Sequence, residues 1–171
     1  MMVTRLTLAV MLSTLLLSCD KETIAPEYLE AIDARLEWNE ARQQNGNNYT
    51  YTAVTTSFSN TGTSTEIRVE DGIVTYRRYE AYSLVAGQKD VTDTYEETGA
   101  DIGSNQMGMA PLTIGELYYT CLNEYLRVDP EKNYLYFTTI ISGVPGVCGY
   151  VPDNCMDDCY LGFNIETFRW D

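Results

Sequence analysis

Apolar positions change their spacing several times along this chain, and each change marks a predicted element. Between Thr23 and Gln44, Leu29, Ile32 and Leu36 recur at the spacing of one helical face, with Trp38 at its edge. Pro26 suits the first turn, where no backbone N–H is required, and Glu27 and Glu30 lie near the positive end of the helix dipole. Gly46, among Asn45, Asn47 and Asn48, supplies a stop. From Tyr49 to Phe58 the period drops to two and predicts a strand, with Tyr49, Tyr51 and Ala53 on one face and Thr50, Thr52 and Val54 on the other. A turn-rich link over 59–64 leads to a second strand, Thr65 to Glu70. Asp71-Gly72 predicts a two-residue hairpin, because both positions must take positive φ. The third strand runs from Ile73 to Leu84.

The segment Val85 to Ala110 is long, polar and glycine-rich. Around Val91 to Tyr95 it can add to the sheet; otherwise it reads as a mobile loop. Leu112 opens a second helix, with Thr113 and Glu116 as a capping box and Leu112 and Leu117 as the flanking staple. Leu117, Cys121, Leu122, Tyr125 and Leu126 form its apolar face, and Asp129-Pro130 ends it. Strands follow at Asn133–Ser142, Val147–Val151 and Tyr160–Trp170, with Gly143, Pro145 and Gly146 turning the chain and a loop over 152–159. Phe163, Ile165 and Phe168 are core candidates of the last strand. The order α-β-β-β-α-β-β-β predicts an α+β fold, two helices packed on one face of an antiparallel sheet.

Ahead of that domain stands an address. Met1 to Arg5 carries one positive charge, and Leu6 to Leu17 is an apolar run too short for a stable membrane-spanning helix. It ends Leu16-Leu17-Ser18-Cys19, which resembles the bacterial lipobox. The resemblance implies cleavage after residue 18, lipid on Cys19, and attachment to a membrane of the cell envelope. The expected organisation is a signal peptide over 1–18, a lipidated cysteine and linker over 19–25, and one domain over 26–171.

The remaining cysteines are Cys121, Cys148, Cys155 and Cys159, an even number that reads as two disulfides in an exported protein. The placement of the elements suggests Cys121–Cys148, pinning helix to sheet, and Cys155–Cys159, closing a loop. Cys148–Cys159 with Cys121–Cys155 stays open. A four-thiolate zinc site is disfavoured because no C-x-x-C pair exists. The chain has no histidine, which removes histidine-based catalysis and histidine metal sites. Its net charge of −14 argues against nucleic acid or an anionic membrane surface as a partner.

Three clusters are candidates for chemistry. Asp153, Asn154, Asp157 and Asp158 gather hard oxygen ligands that suit Ca²⁺, although the EF-hand pattern is absent and a solvated loop closed by a disulfide is the plainer reading. Tyr76, Tyr79 and Tyr82, with Arg77 and Arg78, form a candidate contact face; the plainer reading is a half-buried sheet whose arginines pair across strands with Glu66, Glu70 or Glu80. Glu96, Glu97 and Glu116 are the candidate acid and base of a hydrolase, which would require a paired geometry around a deep cleft.

Several short motifs also resemble a family of small exported bacterial lipoproteins known only as a domain of unknown function. They are Leu36 and Trp38 in the first helix, Asn48-Tyr49-Thr50-Tyr51, Val69-Glu70-Asp71-Gly72, Thr113 to Leu117-Tyr118, Gly143-Val144-Pro145, Asp157-Asp158 and Gly162-Phe163. The likeness covers about residues 27–169. Many members carry a cysteine pair just after the tyrosine strand, where this chain has Thr55-Thr56-Ser57-Phe58. The resemblance implies location and fold, and no activity. The expected function is a lipid-anchored, non-catalytic binding or interaction module that meets an envelope protein or a small ligand. A calcium-dependent module and a carboxylate hydrolase are the alternatives.

Overall fold

The computed structural model describes residues 24–171. The signal segment 1–18, the Cys19 lipidation position and most of the 19–25 linker lie outside the described residues. Helix α1 spans Pro26–Asn45, with Pro26 in its first turn and Gly46, at φ 94°, closing its last. Four strands follow: β1 Tyr49–Thr56, β2 Thr61–Glu70, β3 Ile73–Val85 and β4 Gln88–Thr98. Helix α2 covers Ile114–Asn123, and a 3₁₀ turn over Tyr125–Arg127 leads into β5 Asn133–Ile141, β6 Val144–Pro152 and β7 Leu161–Trp170. The seven strands form one antiparallel sheet in the order β4-β3-β2-β1-β7-β6-β5. Among the described residues no helix is long and apolar enough to cross a membrane.

The element order therefore gains a strand: β4 takes 11 residues of the 85–110 segment and includes the Val91–Tyr95 stretch that could add to the sheet. Residues 88–94 are exposed throughout, so the strand carries no apolar stripe to betray it. What forms it is the hairpin: Ala86 and Gly87 both take positive φ (52° and 80°), as Asp71 and Gly72 do in the preceding one. Strand β2 likewise begins at Thr61 and shortens the expected link, while Pro145 and Gly146 lie inside β6 and only Ser142 and Gly143 turn the chain.

Helix α1 turns a different face inward from the one its leucines suggest. Ala31, Ala34 and Trp38 are buried, whereas Leu29 and Leu36 are about half exposed (51% and 54%). The small alanines let the helix backbone approach the β5–β6 turn so closely that only Gly143 fits beneath it. A Cβ on Gly143 would fall on the Trp38 backbone nitrogen and stand 2.6 Å from the Ala34 carbonyl oxygen. Trp38 then stacks on Trp170 and meets Tyr49 and Phe168 edge-on. The capping box of α2 is formed, Thr113 and Glu116 each accepting from the other's backbone N–H. Leu117, Tyr118, Cys121 and Leu122 of α2 complete a core with Tyr49, Tyr51, Ile67 and Ile165 of the sheet. Tyr118 donates to the Gly143 carbonyl (2.6 Å), fixing the same turn from the other side.

The cysteines pair as Cys121–Cys148 and Cys155–Cys159. The first bond ties α2 to β6 across 27 residues inside the core, and both its cysteines are fully buried. Replacing both with alanine is expected to lower the unfolding free energy by about 2–4 kcal/mol, read from denaturant midpoints. The Cys155–Cys159 loop closes only 4 residues, so the matching double variant should lose clearly less. Equal losses would contradict this account of the two bonds.

Candidate ligand-binding cup

Strand β7 changes partners halfway along its length. Its second half pairs with β1, from Ile165 opposite Ala53 to Trp170 opposite Tyr49. Its first half, Leu161–Asn164, pairs with β6 alone. At the change, Glu166 is an extra residue between the pairs Thr52–Thr167 and Ala53–Ile165, a bulge that bends the strand. Beyond Ala53, β1 keeps its pairing with β2 as far as Thr56 and has none with β7. The sheet splits there, and a cavity of about 790 Å³ occupies the split.

One wall comes from β1 to β3 and carries Val54, Thr56 and Tyr82; the other comes from β5 to β7 and carries Tyr136, Val147 and Asn164. Register places these side chains opposite the helix-packed core: Tyr82 faces Gly62, and Tyr136 faces Gly149. Among the described residues, none of α1 or α2 lines the cavity. Glycines make room for the aromatic walls. A Cβ on Gly62 would stand 2.6 Å from the Tyr82 ring, and Cβ atoms on Gly149 and Gly162 would each stand 2.7 Å from the Tyr160 hydroxyl. The phenol end of each ring thus sits over glycine backbone, covering what a strand glycine leaves bare. The Tyr160 hydroxyl donates to the Phe163 carbonyl (3.0 Å), and burial pushes this phenol up, so it stays neutral at any physiological pH. At the rim, Ser57 donates to Asp158 (3.0 Å) and clasps the β1–β2 loop to the β6–β7 loop.

The residues singled out from the sequence distribute differently. The candidate contact face does not exist as one surface. Arg77 and Tyr79, each 1% exposed, point to the core side of the sheet, and Tyr82 points into the cup. Only Arg78 is well exposed; it pairs with Glu80 of its own strand (2.6 Å) and approaches Glu96 across to β4 (3.8 Å), so the expected partner Glu80 is met within the strand and the cross-strand partner is Glu96. Tyr76 is half-buried beneath the Arg68 guanidinium.

Arg77 instead holds down the 99–111 segment as a strap across the sheet. Its guanidinium donates to Glu97 (2.8 Å) and to the Met109, Asn105 and Met107 carbonyls. Glu97 also accepts from the Gly103 and Asn105 backbone N–H groups and from the Ser104 hydroxyl. Burial pushes the Glu97 carboxyl up, but the hydrogen bonds from Gly103, Arg77 and Asn105 outweigh it and hold the pKa at about 2. Gly108, at φ 74°, seats the strap against Tyr79 and Thr65. The 85–110 segment, read as a mobile loop apart from a stretch around Val91–Tyr95 that can add to the sheet, is thus a strand followed by a pinned strap.

The acidic loop does not converge on a point. Asp158 accepts from Ser57, and Asp157 accepts from the Asp158 backbone N–H. Among the described residues no three His, Cys, Asp or Glu side chains are grouped to hold a metal ion. The acid–base candidates are separated: Glu97 lies buried under the strap, Glu116 caps α2, and Glu96 stands on the exposed edge strand. The cup itself was not found from the sequence. Its one local signal was glycine inside strands, at 62, 149 and 162, which marks a close approach without saying of what. Searches against family models, curated proteins and solved structures find no match to this chain.

Proposed function

We propose that this chain is an exported lipoprotein, anchored through Cys19 to a bacterial membrane, whose domain is a non-catalytic binding module with the β1–β7 cup as its ligand site. The cup carries the reading. Its 790 Å³ lies within the range of small-molecule sites, and its walls combine aromatic and aliphatic surface with a few hydroxyl and amide groups. The anchor is supported by the run Leu16-Leu17-Ser18-Cys19 after an apolar segment. The α+β arrangement suits the role, since the helices and core brace one side of the sheet and leave the other to shape the cup.

Isothermal titration of the full chain with naphthylmethanol, an uncharged aromatic probe, tests the site. Saturable one-to-one binding is expected, weakened by about tenfold or more in Val147→Trp, whose indole would fill the cup, while the melting temperature stays put. Asn164→Trp on the same wall serves if the first variant is unstable. Binding that neither variant changes, or no saturable binding at all, would overturn the assignment. Membrane fractionation of cells making Cys19→Ser checks the anchor, the expected result being loss from the membrane fraction.

A further inference from the structure

The lining residues of the cup carry charge of one sign only. Among its lining residues there is no lysine or arginine, and the chain has no histidine. The one charged lining side chain is Asp158, held at the rim by Ser57. Tyr136 and Tyr160 line the same cup, their rings in edge contact at 6.4 Å. Aromatic faces carry negative charge density and attract cations. Tyr82 on the opposite wall already shows this, with the Lys89 ammonium 4.4 Å over its ring. The chain as a whole carries −14, which favours the approach of cations over anions.

Resting on the reading of the cup as a ligand site, we infer that it selects a cation: an organic ammonium carried on an apolar or aromatic body. The ammonium lies between the Asp158 carboxylate and the Tyr136 and Tyr160 rings, where carboxylate and ring faces pull in the same direction. The body lies against Val54, Val147 and Val151 in the split. An anionic ligand of the same shape meets Asp158 with no cation among the lining residues to offset it.

The test uses three probes with one ring system: naphthylmethylamine, naphthylmethanol and naphthylacetate, titrated into the full chain at low salt. The amine should bind about tenfold tighter than the acetate, with the alcohol between, and the preference should shrink as salt is raised. Asp158→Asn keeps an acceptor for Ser57 and removes the charge. It should cut the amine's advantage over the acetate to about threefold or less. If the alcohol binds and Val147→Trp abolishes it, yet the amine has no advantage or the acetate is preferred, the cationic class is overturned and the cup stands. If none of the three binds, both readings fall.

Discussion

Glu97→Leu is expected to cost about 3–5 kcal/mol of unfolding free energy at neutral pH, because it leaves the Arg77 guanidinium buried without its counter-charge. Nothing in the composition suggests so large an effect from one of 25 acidic residues. It follows from position: the two side chains are 1% and 3% exposed, and between them they hold six groups of the 103–109 strap. A urea titration of the variant gives the loss directly. Arg77→Met/Glu97→Leu should recover only the part due to the unpaired charge, since the strap groups that both side chains held stay without partners. The pair also sets an acid limit. The pKa of Glu97 is lowered from 4.5 to about 2 in the folded chain, so the unfolded chain binds the proton first as pH falls. Its stabilisation is complete above about pH 4.5 and disappears as pH drops toward 2. A Glu97→Leu variant within 1 kcal/mol of the parent, or one whose acid sensitivity matches the parent's, would contradict the strap's dependence on the pair.

The second large effect is expected at Gly143. Alanine there must accept φ 71° and place a methyl group against the backbone of α1 at Trp38 and Ala34. Neither neighbour is a side chain that can swing aside, so the helix or the turn must move. Overpacking of this kind costs typically 1–3 kcal/mol and the strained φ adds to it, for a loss of about 3 kcal/mol. Displacing the turn also breaks the bond from Tyr118 to the Gly143 carbonyl and loosens the Trp38–Trp170 stack. The variant should therefore lose near-ultraviolet circular dichroism before helical signal. Ala34→Gly leaves the Ala34 carbonyl in place and should not restore Gly143→Ala. Full stability of Gly143→Ala would mean that α1 does not seat on this turn.

What the sequence made legible was local. The period-two run from Tyr49, the Asp71-Gly72 hairpin and the Thr113/Glu116 capping box each need only a few neighbouring residues, and each is present. Cys121–Cys148 was legible because a helix face and a strand must meet in any two-layer arrangement. Where reasoning from local pattern failed, the deciding partner was remote. Leu29 and Leu36 have the helical spacing of a core stripe, but the close approach at Gly143 selects the face with Ala31 and Ala34. Arg77 looks like surface charge until Glu97, 20 residues on, closes over it with the strap. Strand β4 is polar because it is an edge, and its exposed Lys89, Asp90 and Asp93 guard that edge against further pairing. The cup depends on the bulge at Glu166, which parts β1 from β7, and a bulge is a property of register rather than of composition.

Amide chemical-shift mapping of the full chain during titration with naphthylmethanol tests the central claim most directly. The account predicts shifts concentrated at Val54–Thr56, around Tyr136 and Val147, and along Leu161–Asn164, the strand segments that border the split. Shifts confined to the strap over 99–111 or to the outer face of α1, with the split unmoved, would contradict it.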